Sequence, residues 1–377
     1  MDENLPEPQP IHDGDDKVNS IEPKQSFWRR HGRLSIVLIA LAGLLVLGGL
    51  ATAGWFFLWK PADKPVAKET KTDKPAEVVP AVKYYSPLTG LEVNSQSDVD
   101  TPIIGAMIEN SPDARPQSGL KTAGVVYEAI AEGGITRFMV LYQNNLPSLI
   151  GPVRSVRLYD VEWLKPYQAG LAHVGGSQQA LAEIRNGQYR DLDQFFNAKY
   201  YWRSADRLAP HNVYTSGDNL TALNAAKGYT TSDFTGFARS DTKPTETEAA
   251  TKINVTISSA TYNSSYSYNA TTGTYDRSQA GAAHVDREGG QISPKVVIVM
   301  KVAEQTVLQD GYREQITTIG SGSAYIFEDG IVIRGTWSRS NTSDQIKFTR
   351  ADGSEIQLER GQTWLVALPN NKEVSWQ

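Results

Sequence analysis

The pattern of apolar and polar positions changes character along the chain. The first 33 residues are polar, rich in Pro, Asp, Glu and Lys. Leu34 to Trp59 then runs 26 residues without a charge, long enough to cross a bilayer as one helix. Arg29, Arg30, His31 and Arg33 precede the run, and Trp55 and Trp59 lie near its far end. Interfacial aromatics and the positive-inside rule therefore predict a single-pass membrane anchor over 34–59, with a disordered cytoplasmic tail over 1–33. Ala51-Thr52-Ala53 offers a small-residue cleavage site. Apolar residues continue past it through Leu58, however, which favours an uncleaved anchor. Residues 60–83, with Pro61, Pro65, Pro75 and Pro80 among lysines, read as a semi-stiff linker. Residues 60–377 are then expected to be extracytoplasmic.

From Tyr84 the spacing is that of a folded protein. Strands are predicted over 105–108, 123–130 and 136–143, the last with Phe138, Val140 and Tyr142 alternating. Helical spacing covers 156–167, 178–186 and 218–227. Gly170 to Val174 leads through Gly175-Gly176 into Ser177, an N-cap for the second of these helices. Strand, glycine turn and helix set an α/β or α+β expectation for a domain over 84–240. After a polar stretch, 251–377 reads as a mainly β domain. Short strands follow one another there, and Asp329-Gly330 and Asp352-Gly353 signal hairpins.

Composition narrows the chemistry. The chain has 377 residues and no cysteine, which excludes disulfides, thiolate metal sites and cysteine nucleophiles. A formal charge of −5 argues against nonspecific nucleic-acid binding. No spacing matches a metal site, and no cofactor is expected.

Several clusters are candidates for ligand contact. Glu128, Glu132 and Arg137 flank Gly133-Gly134, a turn expected to bring both carboxylates to one rim, for acid–base work or as plain ion pairs. Arg154 and Arg157 in the segment Gly151-Pro152-Val153-Arg154-Ser155-Val156-Arg157 are three apart, at a helix start, and suit an anion. The alternative is one arginine paired to Asp160 and the other solvated. His173 lies near the end of a buried strand beside Ser177, but no nucleophile-elbow motif surrounds that serine. Arg203, Arg207, His211 and Asn212 sit among Tyr200, Tyr201, Trp202 and Tyr214, a mixture that suits sugars or anionic polymers. His211-Asn212 is the pair expected to face a ligand. His284 is expected to be oriented by Asp286, within a structural turn.

These blocks, with Ser86-Pro87-Leu88-Thr89-Gly90, Arg115-Pro116-Gln117-Ser118-Gly119-Leu120, Ala209-Pro210-His211-Asn212, Tyr275-x-Arg277, Gly335-Thr336-Trp337 and Gly361-Gln362-Thr363-Trp364, give the chain a specific likeness. From about Tyr84 to Pro369 it resembles the YerB-like family, whose members look like bacterial lipoproteins. The resemblance implies two linked domains displayed at a cell surface. It supplies no catalytic residues. The chain departs from the lipoprotein pattern in lacking a cysteine to acylate, and the apolar run is expected to stand in for the lipid.

The leading expectation is a non-enzymatic module that binds an anionic envelope polymer or an envelope protein. A cell-wall hydrolase or transferase using Glu128 or Glu132 with His173 or His211 is the alternative, and it requires a carboxylate and a histidine in one cleft. An envelope assembly scaffold is a third reading.

Overall fold

The computed structural model describes residues 82–307 and 313–377, within a single compact unit spanning Pro80–Gln377. The candidate anchor at 34–59, the tail and most of the linker lie outside the described residues. Among the described residues no helix is long and apolar enough to cross a membrane.

The architecture is β-rich, with few helices. In chain order the elements that matter are β1 (Ile104–Glu109), β2 (Val125–Glu132), β3 (Ile135–Tyr142), α1 (Leu158–Leu164), β4 (Gly170–Ala172), α2 (Gln178–Ile184), β5 (Arg190–Asp191) and α3 (Gly217–Ala226). They continue with β6 (Lys252–Thr256), β7 (Ser264–Asn269), β8 (Thr274–Gln279), β9 (Val296–Val302), β10 (Gly320–Glu328), β11 (Ile331–Arg339), β12 (Lys347–Thr349), β13 (Thr363–Pro369) and β14 (Glu373–Trp376).

One large mixed sheet runs in the order β12-β11-β10-β9-β13-β2-β3-β1-β4-β5. Its centre is the parallel pairing of β13 with β2, Thr363 opposite Val125 through Val366 opposite Glu128. Strands from both sides of the polar stretch thus share one ladder. The central strands are continuous apolar runs because both of their faces are covered. Alternate residues feed separate cores. Tyr127, Met139, Ile298 and Leu365 face α1, α2 and the loops beyond β12. Val126, Phe138, Val299 and Trp364 face a second, five-stranded sheet made of Ala282–Ala283, β8, β7, β6 and β14.

The α/β rhythm is present locally. β4 and β5 are parallel and joined through α2, whose N-cap Ser177 accepts a hydrogen bond from the Ala180 amide. Elsewhere short antiparallel connections dominate. The Asp329-Gly330 hairpin forms as predicted, joining β10 to β11 with φ 54° and 78° at the two turn residues. A Cβ added at Gly330 would lie 2.9 Å from Cδ1 of Tyr268. Gly330→Ala is therefore expected to destabilise by roughly 1–3 kcal/mol, read as a lower denaturation midpoint with unchanged slope.

Candidate functional site

The neighbouring ends of three strands gather charges. In the β1/β3 register Glu109 stands opposite Arg137. A register shift between Ile130 and Glu132 in the β2/β3 ladder re-aims the last side chain of β2. Glu132 consequently joins Arg137, whereas Glu128 points into the core on the opposite face of the sheet. Glu128 and Glu132 do not share a rim, which corrects the sequence expectation.

Arg137 is the hub. Its Nη2 lies 2.8 Å from Glu132 Oε1 and 3.6 Å from Glu109 Oε2, and Nη1 donates to the Ser155 carbonyl. Arg157 closes on Glu132 from the other side, its Nε 3.0 Å from Oε2. Arg154 closes on Glu109, its Nε 2.5 Å from Oε2. Burial raises the proton affinity of Glu132, but Arg137 and Arg157 outweigh it and hold the carboxyl at about 2. Burial likewise acts upward on Glu109, and Arg137 and Arg154 bring the net shift below the ordinary carboxylate value. Both carboxylates are ionised in this setting.

Exposure is graded. The side chains of Glu109 and Arg137 are each 2% exposed, while Arg154 at 24% and His211 at 19% reach the surface. His211 Nδ1 lies 3.1 Å from Ser111 Oγ and 3.9 Å from Glu109 Oε2. Serine and glutamate approach the same ring nitrogen, so the trio is not a nucleophilic relay, which needs them on opposite nitrogens.

Behind this rim, on the other face of the sheet, Arg277 Nη2 donates to both carboxylate oxygens of Glu128, at 2.9 and 3.1 Å, and both side chains are fully buried. Trp364 Nε1 donates to the same carboxylate at 2.9 Å, and its ring lies 4.6 Å beneath the guanidinium. Arg277 Nη1 also meets His284 Nδ1, and His284 Nε2 is 3.0 Å from Gln117 Oε1. Burial and then the Arg277 charge lower the His284 pKa well below its ordinary value. The imidazole is thus neutral, and its partners place the proton on Nε2. Gln117 Nε2 donates to the Glu109 carbonyl at 3.1 Å. One polar chain therefore runs through the sheet from the core pair to the rim.

The other predicted residues are placed as follows. His173 is fully buried, held by the Gly175 carbonyl and Asp191 Oδ1. It does not meet Ser177, whose hydroxyl caps α2. Arg203 donates to Asn212 Oδ1 at 2.7 Å, and Asn212 is buried, so of the His211-Asn212 pair only the histidine reaches the surface. Arg207 donates to the carbonyls of Asp113, Arg115 and Pro116. Asp160 accepts from the backbone amide of Arg157, not from its guanidinium. His284 is oriented by Arg277 and Gln117, and Asp286 instead accepts the amides of Lys121, Glu288 and Gly289.

Glu109, Ser111 and Gln117 escaped the sequence reading. The visible signal was the polar triplet Glu109-Asn110-Ser111 directly after an apolar strand. Among the described residues no group of three or more His, Asp or Glu is arranged to hold a metal ion.

Comparison with known proteins agrees with the architecture. Residues 88–230 match the N-terminal domain, and residues 253–365 the C-terminal domain, of the protein family of unknown function DUF3048. A Bacillus subtilis (strain 168) protein named "Putative lipoprotein YerB" is 31% identical over 295 residues, covering 77% of this chain and 88% of its own. The crystal structure of YerB protein from Bacillus subtilis superposes with a TM-score of 0.69 at 29% identity, covering 78% of this chain and all of that one.

Proposed function

Starting from the fact that the chain belongs to the YerB-like DUF3048 family, we propose that its folded region is a non-enzymatic binding module for an anionic polymer of the bacterial envelope. The observation that carries this reading is the state of Arg154. Its Nε is anchored on buried Glu109, while neither terminal nitrogen has a protein partner among the described residues. A guanidinium held in this way presents its remaining N–H groups outward without further loss of side-chain freedom. His211 stands beside it. Around the two carboxylates of the rim stand Arg137, Arg154 and Arg157, a surplus of one positive charge that favours phosphate or carboxylate groups.

The hydrolase reading draws little support from the same geometry. Glu128 has no access to solvent, and His173 is buried and committed. Glu132, held at about 2, is tuned away from the range a general acid needs at neutral pH. As to location, the relative's name speaks of a lipoprotein. The reading adopted here is display at the outer face of the plasma membrane through 34–59.

Full-length protein in detergent, incubated with fractionated bacterial envelope, tests the proposal. Arg154→Ala is expected to weaken saturable binding by about tenfold, and Arg154→Lys to restore part of it, with the circular dichroism spectrum unchanged. Equal affinity for all three proteins would overturn the site. Capture of protein with no glycan or polyanion would overturn the ligand class.

A further inference from the structure

A second feature is independent of Arg154. Between the C-terminal end of α1, the segment around β5 and the β11–β12 connection lies a cavity of about 880 Å³, within the size range of small-molecule sites. Its lining is unusually polar for such a site. Lys165, Arg190, Arg339 and Lys347 contribute positive charge against Asp233 and Asp344.

Arg339 is the informative member. It is only 3% exposed. Nε donates to the Asp344 carbonyl, and Nη2 donates to the carbonyls of Glu162 and Thr342. Its Nη1 is buried with no hydrogen-bond partner on the cavity wall. A buried guanidinium donor left without an acceptor is costly unless something else accepts from it. The hydroxyls of Ser338, Ser340 and Ser343 add donors and acceptors along the wall. Tyr189, fixed by a hydrogen bond from its hydroxyl to Glu183 Oε1, adds an aromatic ring.

We infer that this cavity is a binding site for an acidic saccharide, of disaccharide size or longer, bearing a carboxylate or phosphate. The unpartnered Arg339 Nη1 and the excess of two positive charges take the anionic group. The serines and Gln345 take ring hydroxyls, and Tyr189 offers a face for sugar C–H groups. None of the lining residues belongs to the Arg154 rim, so this site stands or falls separately.

The test is titration of the full-length protein in detergent with a glucuronate-containing disaccharide, an uncharged N-acetylglucosamine disaccharide and inorganic phosphate, followed calorimetrically and by saturation-transfer NMR. The acidic disaccharide is expected to saturate, with the uncharged one about tenfold weaker. Lys347→Glu and Lys165→Glu, the latter giving up an exposed hydrogen bond to Gln188 and a cation–π contact with Tyr189, should each lower its affinity by about tenfold without unfolding the protein, and Arg154→Ala should leave it unchanged. No saturable binding, or binding indifferent to both lysine changes, would overturn the assignment. Phosphate alone binding as tightly as the disaccharide would also overturn it, by reducing the site to a simple anion hole.

Discussion

Arg277→Met is expected to destabilise the folded unit by about 3–5 kcal/mol, the range for removing one member of a buried ion pair. Arg277 and Glu128 are both inaccessible to solvent, and the guanidinium also holds Tyr266, Gln279 and His284. Deleting it leaves the Glu128 carboxyl without its countercharge inside a core of Trp364, Phe138 and Tyr266. The loss should appear as a lower urea midpoint. Because the desolvation cost of two charges disappears together, Glu128→Gln combined with Arg277→Met should recover part of the loss. A double variant no more stable than Arg277→Met alone would overturn that expectation, and one more stable than the parent protein would show that the pair costs more to bury than it contributes. Since Arg277 lies on β8 and Glu128 on β2, the same variant also loosens the contact between the second sheet and the main one. Amide exchange in β7 and β8 should therefore accelerate more than exchange in β10 and β11.

The second large effect is expected at Arg137. Arg137→Met removes the hub between Glu109 and Glu132 and leaves two buried carboxylates with only Arg154 and Arg157 on their outer sides. A loss of about 3–5 kcal/mol at neutral pH is expected. The pH dependence gives a sharper check. Glu132 has its folded pKa depressed to about 2 from an ordinary value of 4.5. It therefore contributes stability that is present above about 4.5 and is lost as pH falls towards about 2. At 1.36 kcal/mol per unit this is at most roughly 3 kcal/mol, reduced by the partial exposure of the side chain. In Arg137→Met the folded pKa rises, so the acid limb of the stability curve should shrink, still starting near 4.5 as pH falls but ending at a higher pH than in the parent protein. An acid limb identical to that of the parent protein would show that Arg157 alone holds Glu132 ionised.

Local signals were read reliably from the chain. The alternation in β3, the turn glycines before α2, the Ser177 cap and the Asp329-Gly330 hairpin all depend on residues within a few positions of one another. Their conformations follow from backbone preferences and side-chain periodicity. Arg154 and Arg157 could likewise be singled out as unusual charges beside a Gly-Pro bend.

Their partners could not. Arg154 pairs with Glu109, 45 residues away, and Glu128 with Arg277, 149 residues away. The bulge that sends Glu132 to the face opposite Glu128 is a property of a ladder, and a period-two reading of one strand cannot contain it. For the same reason His284 could be assigned to nearby Asp286, although the fold hands it to Arg277 and Gln117. The sequence alone determined the apolar run, the order of most strands and helices, and the family likeness. Only the tertiary structure decided which charges neutralise one another, which of them reach solvent, and that strands from both halves share one sheet. Periodicity and turn chemistry are local and survive in a linear reading, whereas the energy of a buried charge depends on what long-range folding places within a few ångströms of it.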